Sequence, residues 1–186
     1  MRKESHLIET LANMLDSATI YLERHVELVN NMNVFPVPDG DTGTNMFNTL
    51  KGIKDKVGNG SSLTDLSAYL HCIAHAGLYE GRGNSGIILS QIFRGFALEF
   101  DKHQVLTAES FASCLKKAKD SAYKSVGTPV EGTILTVMSD LSEVAFNNIQ
   151  NDNICESFRN LTAASGTSVD HTPDLLDELR KAEVVD

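Results

Sequence analysis

Apolar residues recur at intervals of three and four along almost every long segment of this chain, and that period admits helices and little else. In the first segment they fall at Ile8, Leu11, Leu15, Ala18, Leu22, Val26 and Val29, one face of a long helix ending near Asn30. A second helix is expected from Thr44 to Val57, stopped by Gly58-Asn59-Gly60. Ser62 with Asp65 then gives a capping-box-like start to a third that reaches about Ala76. Beyond a glycine-rich connector from Gly77 to Gly86, Ile88, Ile92, Phe96 and Phe100 mark a strongly apolar, central helix over Ile87 to Phe100. Phe111, Leu115, Ala118, Ala122 and Val126 give a fifth; Ile134, Val137, Leu141 and Val144 a sixth; Ile154, Phe158 and Leu161 a seventh. Thr172-Pro173-Asp174 reads as N-cap, proline at the first helical position and acidic first turn of a short eighth helix through Leu179. No segment alternates as a strand would, and no repeat or linker divides the chain. The expected fold is all-α, an up-and-down assembly of about eight helices in one domain, residues 1–186.

A chain of 186 residues, 41% hydrophobic, can bury roughly two-thirds of its unfolded surface in a single core. The formal charge of −9 argues against broad affinity for nucleic acid or an anionic membrane, since either needs a concentrated basic face. It also makes phosphate binding depend on local compensation from metal ions, backbone N–H groups or a placed arginine. Cys72, Cys114 and Cys155 are odd in number, far apart and set in apolar periodic segments, which suits buried thiols of a reducing cytosol. No apolar run approaches the roughly 20 residues needed to span a bilayer. A soluble, cytoplasmic protein is expected.

The run Asn33-Val34-Phe35-Pro36-Val37-Pro38-Asp39-Gly40-Asp41-Thr42-Gly43-Thr44-Asn45-Met46 cannot continue either flanking helix, because two prolines and two glycines interrupt it. Asp39 and Asp41 are two apart, so in extended backbone their carboxylates project to one side, where they suit magnesium held against nucleotide phosphates. Gly43-Thr44-Asn45 then opens a helix whose free N–H groups suit an anion. Taken alone, the same residues also suit an ordinary surface turn before a capped helix.

Gly81-Arg82-Gly83-Asn84-Ser85-Gly86 matches the dinucleotide-binding glycine pattern, but helices precede and follow it where that pattern needs a strand. The surviving functional reading is a second phosphate-contacting loop. Gly83 and Gly86 permit close backbone approach, Asn84 and Ser85 donate hydrogen bonds, and Arg82 neutralises phosphate charge. A plain connector with a glycine C-cap is the alternative.

Val34 to Met46 resembles the signature of the nucleotide domain of bacterial fatty acid kinases, and Gly-Arg-Gly-Asn-Ser-Gly-Ile-Ile-Leu-Ser-Gln from Gly81 resembles the second hallmark of that domain. Glu131 to Val137 is similar to the family segment on the adenine and ribose side, and Thr172 to Asp186 to the region closing the domain. The family is related to the ADP-binding L subunit of dihydroxyacetone kinase. The resemblance implies an antiparallel helical barrel with ATP, and ADP as product, in the loops at one end, together with two magnesium ions. It implies that Gly43, Thr44, Asn45, Met46, Gly83, Asn84, Ser85, Gly86, Gly132, Thr133 and Leu135 contact nucleotide. Asp39, Asp41 and Arg82 carry the phosphoryl chemistry in this reading. In the dihydroxyacetone branch an additional aspartate completes the metal cage; here Asn33 is the nearest candidate and Val34 holds the equivalent spacing. That departure favours the fatty acid kinase branch.

In that branch further domains recruit a fatty-acid-binding acyl carrier protein, whose acyl carboxylate receives the γ-phosphoryl group. The present chain is then expected to be an excised amino-terminal domain or a stand-alone homologue, with a homodimer through the full-length chain left open. An apolar acyl tunnel is not expected among helices already packed around one core. A glycerone-type kinase subunit and a nucleotide-binding module without catalysis remain the alternatives.

His71 and His75 have the spacing of two zinc ligands, but no third ligand is evident. Cys72 has no basic neighbour to activate it as a nucleophile, and Lys116-Lys117-Ala118-Lys119 reads as a solvated helix face.

Overall fold

The computed structural model describes residues 2–60, 63, 65–150 and 153–186. Among these residues the chain forms nine helices and no strand. They are α1 (Arg2–Met32), α2 (Thr42–Val57), α3 (Leu66–Glu80), α4 (Gly83–His103), α5 (Ala108–Lys124), α6 (Ile134–Asn147), α7 (Ile154–Asp170), α8 (Thr172–Leu175) and α9 (Asp177–Ala182).

Four helix starts are fixed by the N-cap side chain, which satisfies an otherwise orphan amide. Asp65 accepts from Ser67 N–H at 3.0 Å, Thr133 from Leu135 N–H at 3.3 Å, and Asn153 from Cys155 N–H at 3.1 Å. Thr107 and Ser110 form a reciprocal capping box at the start of α5. Ser62, expected to share in capping α3, lies outside the described residues. The final helix, expected as one, is two pieces, because Leu176 between them is extended at φ −129° and buries its side chain. Thr172 sits inside the first turn, where its hydroxyl donates to Val169 O at 2.7 Å instead of capping.

Each helix from α1 to α7 packs against the next, and α2 also reaches α4. One core cluster joins α1 to α4 through Ile8, Ile53, Tyr69, Ile73 and Phe100; the other joins α5, α6 and α7 through Phe111, Ala145 and Leu161. Phe96 of α4 touches both and meets Phe111 edge-on at 5.7 Å, so α4 is the central helix. Each such fully buried large side chain contributes about 1.5–3 kcal/mol.

Three expectations need correction. The glycine-rich connector is not a loop from Gly77: α3 runs on to Glu80, leaving only Gly81 and Arg82 between helices. Gly77 is buried against α4, where a Cβ would come 3.2 Å from Ser90 Cβ, so this glycine serves close helix packing. On α1 the buried line runs through Ile8, Ala12, Leu15 and Thr19, whereas Ala18 is exposed. Thr19 tolerates burial because its hydroxyl donates to Leu15 O at 2.7 Å. Of the three cysteines only Cys114 is buried; Cys72 and Cys155 lie on outward faces of α3 and α7. No helix among the described residues is long and apolar enough to cross a membrane.

Candidate functional site

The α1–α2 loop closes on itself through Asn33. Its Nδ2 donates to Val37 O at 3.2 Å and Phe35 O at 3.4 Å, and its Oδ1 accepts from Asp41 N–H at 3.2 Å. The Phe35–Pro36 peptide is cis, and Gly40 takes φ +66°, a left-handed backbone that a side chain would disfavour. Asp39 and Asp41 flank it, both exposed. Asp41 stands at the N-cap of α2 yet makes no capping hydrogen bond with its side chain. That service comes from α1: Asn30 Oδ1 accepts from Thr44 N–H at 3.1 Å, and Asn30 Nδ2 donates to Thr44 Oγ1 at 3.0 Å.

A cavity of about 740 Å³ opens beside this loop. Asn33, Asp39, Asp41, Thr42, Asn45 and Met46 line it from the α1–α2 side, Gly83, Asn84 and Ser85 from the start of α4, and Thr133 and Leu135 from the start of α6. Three segments far apart in sequence therefore meet at one hollow, with first-turn residues of α2, α4 and α6 in its lining. First turns carry partial positive charge and amides without helical partners. Apolar residues line it as well, Leu22 and Val29 from α1 and Val137, Val169 and Leu179 from α6, α7 and α9. The cavity thus has apolar as well as polar walls.

The remaining expected contacts stand behind the cavity wall. Gly43 is buried against α1, where a Cβ would lie 2.5 Å from Val26 O. Gly86 is buried against Thr49, and Gly132, at φ +80°, against Leu176. Thr44 is engaged by Asn30. Arg82 does not line the cavity: its guanidinium donates to Tyr79 O and Glu80 Oε2, both at 3.2 Å. Lys56 meets the same Glu80 at 2.6 Å and, with Arg82, holds its carboxyl below the ordinary range.

Residues not singled out from the sequence also shape the site. Asn30 and Thr49 fix the two loops, and the 125–128 turn between α5 and α6 contributes wall. Asp186 lines the cavity too, its carboxylate accepting from Ile134 N–H at 2.6 Å. Although the residue stays exposed overall, partial desolvation raises its carboxyl pKa against the pull of that N–H. None of these carries a local sequence signal, since each acts through a partner at least 14 residues away or through a bare turn.

Among the described residues no three His, Cys, Asp or Glu side chains gather as a metal site. His71 pairs with Asp101 at 2.7 Å and His75 leans on Tyr79. Lys116 lies over the Phe146 ring on the surface.

A family model for the DAK2 domain matches residues 36–186, the whole stretch from the Asp39 loop to the Asp186 wall. The chain belongs to the DAK2 domain family. This DAK2 domain is 40% identical over 177 residues to uncharacterized proteins of Staphylococcus saprophyticus and Staphylococcus haemolyticus, and 38% identical over 177 residues to one of Staphylococcus aureus strain USA300. In each case the match covers 94% of this chain and 32% of the relative. The DAK2 domain described here thus spans about a third of the length of the curated relatives it matches.

Proposed function

We propose that this DAK2 domain binds ATP with magnesium and forms the nucleotide-holding part of a phosphotransferase that passes the γ-phosphoryl group to a fatty acid carboxylate presented by a partner protein. The observation that carries the reading is the convergence of Asp39 and Asp41 with the first turn of α4 on one cavity. Two carboxylates suit magnesium, which takes one or two of them and fills its shell with phosphate oxygens and water. Asp41 leaves its carboxylate uncommitted to its own helix, as such a ligand must. Asn33 is placed to shape the loop, and its one acceptor oxygen already takes the Asp41 N–H. Magnesium, when bound, neutralises phosphate charge.

The chain's own residues then do three things. Asp39 and Asp41 hold the metal-bound end of the triphosphate; the amides and side chains of Asn84 and Ser85 orient the phosphates; and the wall from Thr133 to Leu135 takes the nucleoside. Placement of this kind accounts for most of phosphoryl transfer. A carboxylate oxygen attacks the γ-phosphorus, the bond to the β-phosphate oxygen breaks, and ADP leaves with that electron pair. An ionised carboxylate needs no base, and among the described residues the lining includes no His, Lys or Arg. A hydroxyl acceptor such as dihydroxyacetone must lose a proton, a task that would fall to one of the lining carboxylates.

The acceptor-presenting protein is a separate partner in this reading, and the segments that recruit it are assigned to the parts of the longer relatives that this domain does not match. ADP release measured for the domain alone, with fatty acid, with dihydroxyacetone, and with the downstream segment plus an acyl-carrying protein tests this. Turnover is expected only in the last mixture. Robust turnover of dihydroxyacetone would overturn the acceptor assignment.

A further inference from the structure

Thr49 lies on α2 one turn beyond Asn45, with no exposed surface. Its hydroxyl is used in both directions: it donates to Asn45 O at 2.7 Å and accepts from Arg82 N–H at 3.0 Å. Arg82 is the N-cap residue of α4, and Gly86 presses on the same oxygen, where a Cβ would come within 2.2 Å. Nearby, Ser85 Oγ reaches Thr42 O at 3.5 Å. The hydroxyl therefore joins the segment carrying Asp41 to Asn45 with the segment carrying Gly83 to Ser85, across a gap of 33 positions.

We infer that Thr49 is a positioning residue for the diphosphate portion of the nucleotide, fixing the first turn of α4 against the Asp39–Asp41 loop; this rests on the nucleotide reading above. Valine fills nearly the same volume but leaves the Arg82 N–H without its acceptor, whereas serine keeps both bonds. A residue acting through fold stability alone would weaken every ligand alike. One that sets the spacing of two phosphate-contacting elements affects ligands spanning both and spares adenosine, which spans neither.

Calorimetric titration of wild type, Thr49→Ser and Thr49→Val with MgATP, MgADP and adenosine tests this, alongside thermal unfolding of each. Thr49→Val should weaken MgATP and MgADP about tenfold, the equivalent of one hydrogen bond. Adenosine in Thr49→Val, and all three ligands in Thr49→Ser, should stay within about twofold of wild type. Equal MgATP affinity in Thr49→Val and wild type, or an equal loss for adenosine, overturns the inference and leaves the nucleotide reading standing. A wild type that binds no MgATP overturns both. Should Thr49→Val fail to fold, hydrogen exchange on the wild type decides. The Arg82 amide should be protected like amides inside α2 before nucleotide is added, and exchange at the rate of an open loop overturns the inference.

Discussion

Asn30, near the end of α1, grips Thr44 in the first turn of α2 twice, through its N–H at 3.1 Å and its hydroxyl at 3.0 Å. The amide N–H can only donate, so the oxygen of the Asn30 carboxamide must face it, and the pair is fixed in one orientation. Capping from another helix frees Asp41, which occupies the N-cap position, from that task.

Asn30→Ala should therefore lower stability by about 1–2 kcal/mol, the usual cost of a lost cap. Chemical denaturation followed by circular dichroism checks this. Asn30→Asp keeps the acceptor and should lose less. A midpoint unchanged in Asn30→Ala would show that the grip contributes nothing.

The thiols should divide by burial. Cys114 has no exposed surface, and desolvation pushes its pKa up to about 12, so neither access nor thiolate favours reaction. Cys72 and Cys155 are exposed. Brief treatment of the native protein with a maleimide, read by mass spectrometry, should label those two and spare Cys114 until denaturant is added. Labelling of Cys114 at a similar rate would contradict the packing of α4 against α5.

Acid should loosen the junction of α3 and α4. Asp101 accepts from Ser67 Oγ at 2.5 Å and pairs with His71 at 2.7 Å; the Ser67 hydrogen bond, then His71, hold its carboxyl below the ordinary 3.8 despite some desolvation. A depressed folded-state pKa contributes stability above the unfolded value, and that contribution disappears as pH falls through the folded value. Asp101→Asn should thus destabilise at neutral pH, by less than about 1 kcal/mol for so exposed a pair. The difference from wild type should shrink as pH falls below 3.8 and vanish only below the still lower folded value. Denaturation midpoints across the acid range read it; a difference that grew on acidification would reverse the sign argued here.

The helices were legible because burial imposes a three-and-four period, and the loop before α2 because Pro36 and Pro38 interrupt it, although Gly43, expected in that loop, lies inside α2. Ends were less legible. Gly77 looked like a breaker, yet small size at a helix crossing was its use, and Leu176 looked helical until its burial demanded an extended residue between α8 and α9. Asp39, Asp41, Asn84 and Ser85 stood out as polar residues in shaped loops, and the fold brings their segments to one cavity. Asn30 and Thr49 did not stand out, because each is an ordinary polar residue inside a helix whose partner lies 14 or 33 positions away. Arg82 stood out for its charge, but the nearby Glu80 carboxylate holds its guanidinium outside the cavity lining.

The central claim is a magnesium-bridged nucleotide site, and thermal unfolding of the domain with MgATP, with ATP plus chelator, and with neither addresses it most directly. At a hundredfold excess over Kd, MgATP should add about 2.7 kcal/mol. For a chain of this size that amounts to a rise in Tm of roughly 5–10 °C. ATP with chelator should add little, and Asp39→Asn or Asp41→Asn should remove most of the MgATP effect without lowering the Tm of the free protein. Equal stabilisation with and without magnesium, or full stabilisation in both aspartate variants, would contradict the account.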